Sequence, residues 1–121
     1  SVVFSLENDE EFAEKVSFNF FKVFKFDFYA DWCGPCRMLG PRLEAKVQGQ
    51  GGSVLLAKVD VDLVASLAAQ YEITAVPTVI AFKNGEVVEK MEGDCGDEYI
   101  DRLIDNLVHV LPMLLILLAT K

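Results

Sequence analysis

The chain has 121 residues, 52% of them hydrophobic, and a net charge of −8, which predicts one folded, soluble, acidic domain long enough to bury a core. With no cluster of Lys and Arg, that balance argues against nucleic acid as a principal partner, because phosphate contacts need grouped cations. Three cysteines leave one over from any internal pair, which excludes a secreted disulfide framework and points to a reducing setting.

Residues 1–6 form a short apolar run that reads as an edge strand. They show no basic, apolar or amphipathic targeting pattern, a picture that a removed transit peptide would also leave. Asn8 or Ser5 can cap a helix over Glu7–Val16, with acids in its first turn and Phe12 and Val16 at helical spacing. The next segment, Ser17 to Lys25, has no Pro or Gly, and five aromatics fall between Phe18 and Phe26. Phe24, Phe26 and Phe28 alternate with Lys25, Asp27 and Tyr29, the period of a strand. A central strand covered on both faces should be almost continuously apolar. Lys25 therefore snorkels toward an edge, neutralises Asp27 from the same face, or disrupts the site.

From Pro35 the spacing becomes helical, with Met38, Leu39, Leu43 and Val47 able to share one side. Pro35 suits the first turn of a helix. That places Cys33 at or just before the helix start, and Cys36 one turn in on the same side. Unpaired N–H groups and the helix dipole favour an anion at Cys33, whose thiolate is the nucleophilic form. Cys36 is near enough to attack a mixed disulfide at Cys33 and release a reduced partner. The pair is thus read as attacking and resolving thiols. A static disulfide or half of a zinc site is the alternative, but Cys95 and the lone His109 offer no recognisable zinc spacing. Asp27, between Phe26 and Phe28, is costly to bury ionised, so burial should raise its pKa and make it a proton acceptor near neutral pH.

Pro41 should kink the helix, and the run from Gln48 to Ser53 should end it in a flexible loop. Val54–Val61 reads as a buried strand, and Asp62 as the cap of a helix from Leu63 to about Tyr71. Thr78–Phe82 and Glu86–Glu92 read as strands joined at Asn84-Gly85, a strong hairpin signal. Asp97 can cap a final helix whose apolar face is Ile100, Leu103, Ile104, Leu107 and Val108. The order β-α-β-α-β-α-β-β-α predicts an α/β fold, a central mixed sheet flanked by helices on both faces. Residues 1–109 then form one domain, and 110–121 an apolar extension too short to span a membrane. That extension reads as an extra helical turn folded back on the domain, an association surface or an aggregation liability.

Trp32-Cys33-Gly34-Pro35-Cys36 resembles the active-site signature of the thioredoxins. In the same order, Asp27-Phe28-Tyr29-Ala30 resembles that family's strand with the buried acid, Val76-Pro77-Thr78 its cis-proline loop, and Phe82 to Val88 its terminal hairpin. The resemblance runs from about Phe26 to Val108. Leu39 to Glu44 and Ala57 to Asp62 look most like mitochondrial thioredoxins.

The resemblance implies a thioredoxin fold and a protein disulfide reductase in cell redox homeostasis. It implies that Asp27 lies beneath Cys36 and assists its deprotonation, and that Lys58 reaches toward this acid. It further implies a cis Pro77 presenting Val76 to an extended substrate, with Trp32, Gly34, Pro35 and Gly93 bordering the groove. No bound cofactor or metal is implied. Electrons would come from NADPH through thioredoxin reductase, clients would include peroxiredoxins, and the setting would be mitochondrial or alternatively cytoplasmic. Two other readings stand beside it, a disulfide isomerase or oxidase and a non-catalytic binding module. Gly34-Pro35, and the lack of a secretory signal pattern or retention tail, speak against the first. Intact Cys33, Cys36, Asp27 and Pro77 speak against the second. Cys95 is read as a small buried hydrophobe or a free thiol, and His109 as helix surface.

Overall fold

The computed structural model describes residues 2–93 together with Gly96 and Glu98. Five strands and three helices follow in the order β1 (Val3–Leu6), α1 (Asp9–Phe18), β2 (Val23–Tyr29), α2 (Gly34–Gln48), β3 (Val54–Asp60), α3 (Ala65–Gln70), β4 (Thr78–Lys83) and β5 (Glu86–Glu92). The strands form one sheet in the order β1-β3-β2-β4-β5. β3 pairs parallel with β1 and β2, whereas β4 pairs antiparallel with β2 and β5. The sheet is therefore mixed, as expected, with β1 at one edge. Among the described residues no helix is long and apolar enough to cross a membrane. The expected final helix, Cys95, His109 and the 110–121 extension lie outside the described residues.

β2 is the middle strand, and its alternation sorts two cores. Phe24, Phe26 and Phe28 face α1 and α3, joining Leu67, Ala68, Ile80 and Phe82 in one cluster. Phe12 of α1 meets Phe26 with ring centroids 5.1 Å apart, and Phe24 stacks on Phe26 at 5.5 Å. Each such buried ring contributes roughly 2–3 kcal/mol. Val23 faces the other way, with Leu39, Leu43 and Val47 of α2. That cluster is what anchors α2, and so the start of α2, against the end of β2.

The phenylalanine-rich segment divides at the strand start. α1 is capped by Asn8, whose side chain accepts from the Glu11 N–H, and runs to Phe18, beyond the expected end at Val16. Phe24 and Phe26 enter the core, while Phe18 at the end of α1 and Phe21 in the turn before β2 are each 81% exposed. Lys25 does not snorkel. Its residue is 0% exposed, fixed between Leu56 of β3 and Ala81 of β4, so no edge is within its reach. Its Nζ has no hydrogen-bond partner among the described residues.

α3 also departs from expectation. It begins at Ala65, with Val64 as a cap that makes no side-chain bond. Asp60 starts the turn instead, its carbonyl accepting from the N–H groups of Leu63 and Val64 and its carboxylate from that of Asp62. Asp62 is thereby released for another role. α2 runs unbroken through Pro41. At the hairpin, Asn84 and Gly85 both take positive φ (53° and 80°), the twist that a two-residue connection between antiparallel strands needs.

Candidate active site

Cys33 is the N-cap of α2. Its Sγ accepts the Cys36 N–H at 3.2 Å, using one of the donors that a helix start leaves unpaired. Gly34 and Pro35 open the helix, and the residue types around them force the placement: a strand packed on both faces ends at Tyr29, and after a short loop a proline stands in the first turn of α2. Cys33 and Cys36 are joined in a disulfide, with Cα atoms 5.3 Å apart. They cluster with Ala30, and Tyr29, Val61 and Val76 pack against them. A sulfur held at this point would keep the same N–H and the positive end of a 15-residue helix when reduced.

The loop Ala75–Thr78 borders the pair from the side. Its Val76–Pro77 peptide is cis, as expected, and Thr78 Oγ1 donates to the Ala75 carbonyl at 2.6 Å. Gly93 donates its N–H to the Pro77 carbonyl at 2.8 Å. Its φ of +77° is a conformation that a side chain would strain. Trp32 is 69% exposed, and its indole N–H donates to Asp62 Oδ2 at 3.0 Å. Trp32, Val61, Ile73, Thr74, Ala75 and Val76 line a shallow groove of about 150 Å³. The structure thus brings Trp32 and Val76 to one groove and Gly93 to Pro77, while Gly34 and Pro35 lie exposed at the helix start. Asp62 is a site neighbour that sequence reasoning assigned to a helix cap; its spacing carried no sign of a partner 30 residues earlier.

Behind the disulfide lies a second, larger cavity of about 290 Å³, lined by Asp27, Tyr29, Cys36, Gly40, Glu44 and Lys58 among others. Asp27 is 2% exposed, and its Oδ1 has no hydrogen-bond partner among the described residues. Burial pushes its pKa up to about 6, against the pull of Lys58 and with a further push from Glu44. Lys58 is its register partner on β3, yet the ammonium lies 3.7 Å from Glu44 Oε2 and 5.3 Å from the centre of the Tyr29 ring. Glu44 is a site residue that the sequence reading did not single out. The signal was there, because Cys36, Gly40 and Glu44 recur at four-residue steps and share one side of α2. The cavity thus joins Cys36 to a buried acid, and Val61 and Val76 connect the cysteine pair to the groove beside Trp32.

Asp27 has a measurable cost. Its folded pKa lies above the ordinary value of 3.8, so between that pH and about 6 the folded state keeps a proton the unfolded chain has lost. Stability therefore falls as pH rises through this window, by roughly 3 kcal/mol in all. Asp27→Asn is expected to stabilise the protein by about 2–3 kcal/mol at pH 7 and by little at pH 3.5, read from urea unfolding at both. An equal change at the two pH values would show that ionisation of Asp27 is not the cause.

A family model described as thioredoxin matches residues 3–106. The chain is 51% identical over 106 residues to probable thioredoxin-2 of Caenorhabditis elegans, a match covering 88% of this chain and 72% of that relative. It is 43% identical over 108 residues to the mitochondrial thioredoxin of Rattus norvegicus, covering 89% of this chain and 64% of the relative. Among solved structures, a reduced Schistosoma mansoni thioredoxin pre-protein superposes with a TM-score of 0.78 at 31% identity, covering 90% of this chain and 98% of the other. Fasciola hepatica thioredoxin gives a TM-score of 0.79 at 32% identity, with 84% and 96% covered. A disulfide capped at a helix start, a buried acid behind it and this breadth of similarity agree: the chain belongs to the thioredoxin family of disulfide oxidoreductases, with Cys33 and Cys36 as its redox pair.

Proposed function

We propose that the chain reduces disulfides in partner proteins, with residues 1–109 acting as one catalytic domain and 110–121 as an extension of it. The Cys33 thiolate attacks one sulfur of the client's disulfide, so that a mixed disulfide forms and the client's other sulfur leaves as a thiolate. Cys36 gives its proton to the Asp27 carboxylate and attacks Cys33. The client leaves reduced, and Cys33–Cys36 is left oxidised. Lys58 sets the field in which Asp27 ionises. Trp32, Val76, Pro77 and Gly93, with Gly34 and Pro35 at the helix start, form the surface where an extended client segment lies against the backbone.

The observation that carries this reading is that Cys36 shares a charged cavity with the buried Asp27, while Val61 and Val76, which pack against the cysteine pair, line the groove beside Trp32. The same reading takes its electrons from NADPH through thioredoxin reductase, counts peroxiredoxins among its clients, and sets the protein in the mitochondrion rather than the cytoplasm. The mitochondrial relatives at 43% identity support the last. The test is NADPH oxidation by thioredoxin reductase in the presence of this protein and a disulfide-bonded client. Turnover that rises in proportion to the protein, and disappears with Cys33→Ser, is the expected result. If wild type and Cys33→Ser were equally inert, the fold would serve as a binding module instead.

A further inference from the structure

The cavity behind Cys36 contains more charge than one proton acceptor requires. Around Asp27 stand Lys58 from β3, Tyr29 from its own strand, Asp31 from the loop, and Cys36, Arg37 and Glu44 from α2. From β4 its register partner is the apolar Val79. Arg37 is turned aside, its guanidinium donating to the Asp31 carbonyl at 2.8 Å. Lys25, two residues along the same face of β2, does not line the cavity and is not among the charges that act on Asp27, which leaves Lys58 as the cavity's cation able to pair with it. Two charges side by side in a low dielectric would form a tight ion pair, and an acid locked in such a pair holds a proton poorly. The ion pair actually present is with Glu44, at 3.7 Å, and both partners are about one-third exposed (27% and 32%).

We infer that Glu44 is a positioning residue for proton transfer: it holds the Lys58 ammonium at the cavity mouth, away from Asp27, and so leaves that carboxylate free to accept the Cys36 proton and hand it to solvent. The inference rests on the reductase reading above and adds a residue to it. The balance is simple. The Cys36 thiol and Asp27 carboxylate become thiolate and carboxylic acid; the thiolate closes the disulfide, and the carboxylic acid then loses its proton to water at the mouth. A cavity of about 290 Å³ has room for several water molecules along that route. Glu44 also repels the Asp27 carboxylate directly, so both of its effects favour the protonated acid.

The test is a carboxyl-carbon NMR titration of Asp27 in wild type, Glu44→Gln and Lys58→Gln, each oxidised and each checked for native circular dichroism. Glu44→Gln is expected to lower the Asp27 midpoint by about half to one pH unit, as a freed Lys58 turns inward. Lys58→Gln is expected to raise it by a similar amount. In Lys58→Gln/Glu44→Gln the effect of removing Glu44 should shrink to less than half, since only repulsion is left. The same downward shift should appear in the acid limb of the disulfide-reduction rate, with about a two- to threefold slower resolving step near pH 7. An unmoved or raised Asp27 midpoint in Glu44→Gln overturns the inference. So does a Glu44 effect undiminished when Lys58 is absent. Because the titration is read without turnover, failure of the reductase assay would refute the function without imitating either result.

Discussion

Cys33→Ser is expected to reduce disulfide turnover to background, a loss on the order of 10³-fold or more, while leaving the fold intact. The hydroxyl that replaces the thiol is similar in size but does not ionise near neutral pH, so no nucleophile stands at the start of α2. Cys36→Ser should fail differently. Cys33 is still in place at the helix start, packed by Val61 and Val76, which line the groove with Trp32, so the first attack proceeds and the mixed disulfide forms. Nothing then attacks it from the cavity side. One equivalent of client should remain covalently attached, visible as a mass shift that dithiothreitol removes. The two variants together assign the order of attack, which inactivity alone would not. If Cys33→Ser instead accumulated the adduct and Cys36→Ser did not, the roles of the two sulfurs would be reversed.

Lys25→Met should make the protein more stable, by about 2 kcal/mol or more at pH 7, or close to 10 °C in Tm. Met matches the length of the lysine stem and asks for no hydrogen bond. The wild-type amine lies on the α2 side of β2, the side of Val23 and Asp27, flanked by Leu56 and Ala81. Burial lowers its pKa to about 7, only partly opposed by the Glu89 carboxylate two strands away. A lowered amine pKa means that between pH 7 and 10.5 the unfolded chain binds a proton the folded chain does not. Stability should therefore rise with pH across that window, by up to about 5 kcal/mol. In Lys25→Met this rise should be largely gone. Urea unfolding of both proteins at pH 7 and pH 9.5 decides it. A variant that is less stable, with the wild-type slope retained, would mean that Lys25 is a satisfied and stabilising part of the core.

These two results bear on different things. The first concerns chemistry that the protein needs, whereas the second concerns a residue the fold tolerates. Nothing in the described residues makes Lys25 part of the site: it shares a strand face with Asp27, yet Asp27 takes its electrostatic character from burial, Lys58 and Glu44. The reading in which Lys25 neutralises Asp27 therefore gains no support from the geometry. Its position two residues along the same face suggested a partnership, but the dominant cause acting on each group is its own burial.

Much of this protein is local, and local features were legible in the residues alone. The alternation of Phe24, Phe26 and Phe28, the proline in the first turn of α2, and Asn84-Gly85 at the hairpin each act through neighbours a few positions away. They were enough to place both cysteines and the acid. What no spacing in the sequence specified was how charges from separate elements would divide among partners. Lys58 of β3 lies beside Asp27 and acts on it, as the resemblance implies, but its ion pair with Glu44 of α2 had no sign in the spacing. Asp62 was expected to cap α3, but it receives the Trp32 indole. Of the readings open for Lys25, the one that sends it to an edge fails, because it is enclosed between β3 and β4. Backbone conformation is set by short-range sterics and hydrogen bonding, which a sequence records directly. Burial, and the choice of an ion's partner, depend on which elements come together, and only the packed sheet and its helices decide that.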